Sequence, residues 1–174
     1  PPTQTVPAAQ TTNEDTAITI PGLSVADPDS TGTAPNTQVL TTTLTLPNAA
    51  YGALSATGGT YDAATGILTI TGTAAQINTA LATVQYVPTA DFNTGNTPVG
   101  PFSITMTTND GSGAPNGVVT GTCQMSVATV GGVGGEAVST AEDTPVTFNP
   151  ITGNNETGGA DNFENTPSIT SITQ

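Results

Sequence analysis

The chain has 174 residues, 13 of them Asp or Glu and none Lys, Arg or His, for a formal charge of −13. With no basic side chain it has nothing to grip a phosphate backbone or an anionic bilayer, so neither nucleic acid nor a membrane is an expected partner. It also lacks the usual general base, and one Cys cannot build a zinc cluster or a disulfide of its own. Carboxylates, hydroxyls and carbonyls remain, an inventory that suits a hard cation such as Ca²⁺.

The length allows one large domain, or one domain and part of another. No stretch approaches the roughly 20 apolar residues of a membrane span. No basic, then apolar, opening marks a signal peptide. The abundance of Thr, with 20 Gly and 14 Pro for turns, points to many short strands.

Residues 1–12, PPTQTVPAAQTT, lack periodicity and read as an extended leader or linker. A strand is predicted at Thr16–Ile20, with Ile18 and Ile20 on one face. Asp27-Pro28-Asp29-Ser30 is a loop with two carboxylates. Residues 39–46 alternate, with Leu40, Thr42, Leu44 and Leu46 sharing a face. Residues 53–71 form a predicted hairpin around Asp62-Ala63-Ala64-Thr65-Gly66, with Leu68 and Ile70 inward.

One helix is predicted. Thr73-Ala74-Ala75-Gln76 fits a capping box, and Ala74, Ile77, Ala80, Leu81 and Val84 follow helical spacing. A strand over Val84–Val87 leads to the loop Thr89-Ala90-Asp91-Phe92-Asn93. Then Phe102, Ile104 and Met106 alternate with Ser103, Thr105 and Thr107. After Asn109-Asp110-Gly111, Val119, Gly121, Cys123, Met125 and Val127 alternate with polar residues. Such alternation gives a sheet with one buried and one wet face.

Residues 131–135, GGVGG, form a flexible joint. Beyond it Glu142-Asp143-Thr144 echoes Glu14-Asp15-Thr16. The organisation read from this is a module over 13–130 and the opening of a second, partial module over 136–174. Two strands cannot bury their own apolar face. Three outcomes stay open: the segment is cut from a longer repeat protein, it folds back on the first module, or it pairs with another copy's sheet edge as an exchange segment. Such head-to-tail contacts do not close, so they generate a filament.

Several segments together resemble the cadherin-like, immunoglobulin-type repeats of large secreted bacterial adhesins and surface proteins. They are Asn13-Glu14-Asp15-Thr16, Gly22-Leu23-Ser24-Val25-Ala26-Asp27-Pro28-Asp29, Thr73-Ala74-Ala75-Gln76-Ile77-Asn78, Tyr86-Val87-Pro88-Thr89-Ala90-Asp91-Phe92-Asn93 and Thr108-Asn109-Asp110-Gly111. The resemblance implies an all-β immunoglobulin- or cadherin-like β-sandwich, an extracellular structural or adhesive role, and calcium at module junctions.

A seven-stranded topology would place Asp27, Asp29 and Asp91 at one pole. The second module would bring Glu142 and Asp143 there, with Glu136 nearby. Glu14, Asp15 and Asp110 would fall at the opposite pole. Crowded carboxylates repel, and calcium, which takes about six to eight oxygens, would relieve that. The alternative for each Asp is a turn cap.

Cys123 reads as a core side chain. Asn155-Glu156-Thr157 is a sequon of a common kind. The pairs Thr69/Thr71 and Thr105/Thr107 could form hydroxyl arrays for ice or glycan. Regular stacked repeats of such pairs are absent, so solvated strand faces are the expectation. Two carboxylates suffice for a glycosidase, but the acids sit in turns and the chain has no Trp and three Tyr, so no enzyme is expected. The expected function is an extracellular, calcium-stabilised subunit of a fibre, stalk or biofilm-matrix filament, built from copies of itself. The alternative is an adhesin module recognising a glycan or a surface protein.

Overall fold

Alternation of apolar and hydroxyl side chains decides the fold, because a period of two places every second residue on one face. A computed structural model of the chain describes residues 1–95 and 99–130. Its elements are β1 (Thr3–Thr5), β2 (Gln10–Asn13), β3 (Ile18–Thr19), β4 (Ser24–Ala26), β5 (Leu40–Thr45), β6 (Gly52–Ser55), β7 (Thr60–Asp62), β8 (Ile67–Gly72), α1 (Ala74–Leu81), β9 (Gln85–Pro88), β10 (Phe102–Asn109) and β11 (Val118–Ala128). Among the described residues the fold is all-β with one α-helix.

Six strands form the main sheet, in the order β2-β11-β10-β5-β8-β7. This sheet is curled into a half-barrel. Its inner face carries Leu40 and Leu44, Leu68 and Ile70, Ile104 and Met106, and Cys123, Met125 and Val127, all buried. A three-stranded sheet, β3-β9-β6, and a two-stranded one, β1-β4, accompany it. The expected 53–71 hairpin is thus divided. β7 and β8 pair as a hairpin, while β6 pairs with β9. The β7–β8 turn forms as read: Asp62 accepts from Ala64 N and from Thr65 Oγ1, both at 2.9 Å, and Gly66 exits at φ 71°.

Helix α1 begins where the capping box places it. Thr73 Oγ1 accepts from Gln76 N, and Gln76 Oε1 accepts from Thr73 N at 2.9 Å. Its stripe Ala74, Ile77, Ala80 and Leu81 is buried. The helix stops at Leu81, so Val84 is buried from the following turn instead.

Residues 1–12, expected as a linker, contribute two strands. Thr3–Thr5 pair antiparallel with Ser24–Ala26. Gln10–Asn13 then pair in parallel with Met125–Ala128. Between them Val6 packs on the core. A Cβ at Gly121 would lie 2.5 Å from Val6 Cγ2, so the glycine makes room for this crossing. The first compact unit accordingly runs Pro1–Thr129. The Gly-rich joint 131–135 and the segment 136–174 lie outside the described residues. Among the described residues no helix is long and apolar enough to cross a membrane.

Candidate functional site

Register fixes which acids share an end of the sheet. Asn13 lies opposite Ala128, and Glu14 N donates to Ala128 O at 2.9 Å. β10 begins beside that end, since Phe102 faces Met125. At this end Asp91 N donates to Asp15 Oδ1 at 3.1 Å, and Asn93 Nδ2 donates to Glu14 Oε2 at 3.1 Å. Glu14 and Asn93 are buried. Asp15 and Asp91 both hold a left-handed backbone, φ 56° and 60°, which Asp tolerates better than most residues.

Asp27, Asp29 and Asp110 occupy the other end. Gln38 ties their loops together. Its backbone N donates to Asp29 O at 2.9 Å, and its Nε2 donates to Asp110 O at 2.8 Å. The expected poles are therefore corrected: Asp91 joins Glu14 and Asp15, and Asp110 joins Asp27 and Asp29. The cause is strand parity. From Thr16 onward the chain crosses the molecule an even number of times, because β6, β7 and β8 are three separate crossings. β11 so returns to the end where Glu14 lies. Glu136, Glu142 and Asp143 lie outside the described residues.

The Asp27 loop is built from the turn chemistry of Asp and Ser. Asp27 Oδ1 accepts from Asp29 N at 3.0 Å, and Asp27 O accepts from Ser30 N at 3.1 Å. Ser30, fully buried, donates to Gln38 O at 2.5 Å and accepts from Ala74 N at 3.0 Å. The loop is thereby locked to the start of α1. Asp27 is 4% exposed, and its Oδ2 has no hydrogen-bond partner. A buried carboxylate oxygen is costly unless paired. This sequence holds no Lys, Arg or His to pair with it.

Asp110 differs. Ser112, through its hydroxyl and its N–H, holds the Asp110 carboxyl below the usual carboxylate range. Asp29 is exposed at the rim. Among the described residues no three Asp, Glu, Cys or His side chains converge on one point where a metal could sit. The Asp27 turn thus leaves Asp27 Oδ2 buried without a hydrogen-bond partner. Cys123 is a core side chain, and burial pushes its thiol up.

Sequence reasoning missed Gln38, and it placed Ser30 and Asn93 in loops without seeing that they hold these ends together. Polar residues in loops carry no periodic signal of such a role. Compared with protein-family models, with curated proteins and with solved structures, the chain gives no match.

Proposed function

We propose that the chain is an extracellular structural protein: an immunoglobulin- or cadherin-like β-sandwich subunit that joins head-to-tail, with strand sharing and calcium, into a fibre, stalk or biofilm-matrix filament. The observation that carries this reading is Asp27 Oδ2, buried and unpartnered at the end opposite the exit of β11. Calcium would supply the positive charge that no side chain of this sequence can. Asp27 and Asp29 would hold it from one copy, and carboxylates of the next copy and water would complete its shell.

The sandwich assignment draws support from the first strand. It pairs antiparallel in one sheet through β1, then switches to parallel pairing with the last strand through β2. The extracellular assignment draws on composition, since a chain without Lys or Arg offers trypsin-like proteases no site. Negative-stain electron microscopy of the full chain tests assembly. Filaments with calcium that vanish with a chelator, and that fail to form when residues 136–174 are deleted, are expected. Monomers under every condition would refute it.

A further inference from the structure

The outward face of the six-stranded sheet takes no part in the site above. Thr107 lies opposite both Thr120 on β11 and Thr43 on β5. Thr43 lies opposite Thr69 on β8, and Thr69 opposite Thr60 on β7. One row of threonines therefore crosses five strands in register, at a strand spacing of about 4.8 Å. A second row places Thr105 between Thr45 and Thr122. The sequence reading found no stacked repeat because the stacking arises between strands, from segments far apart in the chain.

This face is hollowed over its two middle strands, at the end of the sheet where β5 begins and β10 ends. A trough of about 380 Å³ lies over the β5–β10 seam, lined by Val39, Thr41, Thr43, Thr107, Asn109 and Gly111. That volume falls within the range of small-ligand sites. Thr107 and Thr120 share a hydrogen bond at 3.3 Å, while the hydroxyls of Thr41 and Thr43 bond no other group among the described residues. Two apolar side chains flank the trough: Val39 is 55% exposed, and Val118, beside Asn109, is 51% exposed.

Charge selects the occupant. A chain at −13 with no basic side chain repels anions. The trough residues carry no carboxylate to hold a cation. A second copy would bring the same charge against it. Free hydroxyls beside methyl and valine surface match a ligand that presents hydroxyls and C–H faces without charge.

We propose that this threonine face binds an uncharged polysaccharide, a short run of sugar residues lying along the trough between β5 and β10. The interaction needs neither calcium nor a second copy, so it stands apart from the assembly reading. The outward positions of β5, β8, β10 and β11 hold no aromatic ring, so one copy binds weakly.

The test is amide chemical-shift mapping of the isotope-labelled full chain, in chelator and again in calcium. The probes are cellohexaose, maltohexaose and xylohexaose, with a galacturonate hexamer as the acidic comparator. Saturable shifts at Thr41, Thr43, Thr107 and Asn109 with a neutral probe, and none with the acidic one, are expected. Thr43→Val and Thr107→Val should each weaken binding about fivefold, the equivalent of one neutral hydrogen bond. Thr43→Ser, which keeps the hydroxyl, should retain it. No shifts with any neutral probe, shifts that both Val variants leave unchanged, or shifts at this face that follow protein concentration alone (a second copy) would overturn the proposal.

Discussion

Thr108 and Gln4, 104 positions apart in sequence, meet inside the fold: Thr108 Oγ1 donates to Gln4 Oε1 at 3.0 Å. Gln4 Nε2 donates in turn to Met106 O at 2.9 Å. Thr108 also shares a hydrogen bond with Thr42 at 3.0 Å, and both threonines are fully buried. A core with two hydroxyls needs a polar partner, and the first strand delivers it.

Gln4→Ala should therefore cost about 1–3 kcal/mol, because it strands buried polar groups. Urea denaturation of the two proteins measures it. An unchanged midpoint would contradict this role for Gln4.

Asn78 makes a similar bridge from the helix. Its Oδ1 accepts from Val25 N at 2.8 Å and its Nδ2 donates to Val25 O at 2.9 Å. One side-chain amide so mimics a strand neighbour for β4. Asn78→Ala should destabilise by about 2–3 kcal/mol through the two backbone groups it leaves unpaired. Asn78→Asp should destabilise too, because it sets an acceptor against the Val25 carbonyl. Thermal melting checks both.

Gly52 tolerates no side chain. A Cβ there would collide with Val87 O and lie 2.6 Å from Tyr86 Cε2. Tyr86 is fully buried, and its hydroxyl donates to Tyr51 O at 2.7 Å, so the ring cannot withdraw. Gly52→Ala should lower stability by about 1–3 kcal/mol, read as a lower urea midpoint. Gly58→Ala reports backbone strain alone, since φ there is 76° and nothing lies within 4 Å of its added Cβ.

Much of this was legible in the sequence, and the boundary has a physical cause. β5, β10, β11, the Asp62 turn and α1 announce themselves because their periodicity or caps are local. β1 and β2 do not. Thr-Gln-Thr and Gln-Thr-Thr-Asn have no apolar alternation, and only pairing with distant strands makes them strands. The acidic ends were misassigned for the same reason. Local signals locate Asp91 and Asp110 in loops, but the parity of crossings decides which loop lies at which end. The in-register threonine rows were hidden likewise, since register is a property of strand pairs.

Acid should weaken the fold through two carboxylates. Ala64 N–H, then the Thr65 hydroxyl, hold Asp62 below the ordinary range, and Ser112 does so for Asp110. A carboxyl whose folded value is depressed adds stability that is complete above its unfolded value of about 3.9 and is lost as pH falls through the folded value. Relief of repulsion among the 13 acids works in the opposite direction. The informative quantity is therefore the difference between the wild type and the Asp62→Asn/Asp110→Asn double variant. That difference should shrink as pH is lowered from about 6 to about 3. A difference that stays constant would contradict the assignment.

The most direct test of calcium at the Asp27 end is the melting temperature of the full chain across a calcium titration, from chelator to millimolar, beside Asp27→Asn. A ligand at about 100 times its Kd stabilises by about 2.7 kcal/mol. The wild type should melt higher as calcium rises. Asp27→Asn, which can keep the oxygen that Asp29 N–H bonds, should gain nothing from calcium. A wild type whose melting ignores calcium, or a variant that gains as much as the wild type, would contradict the account.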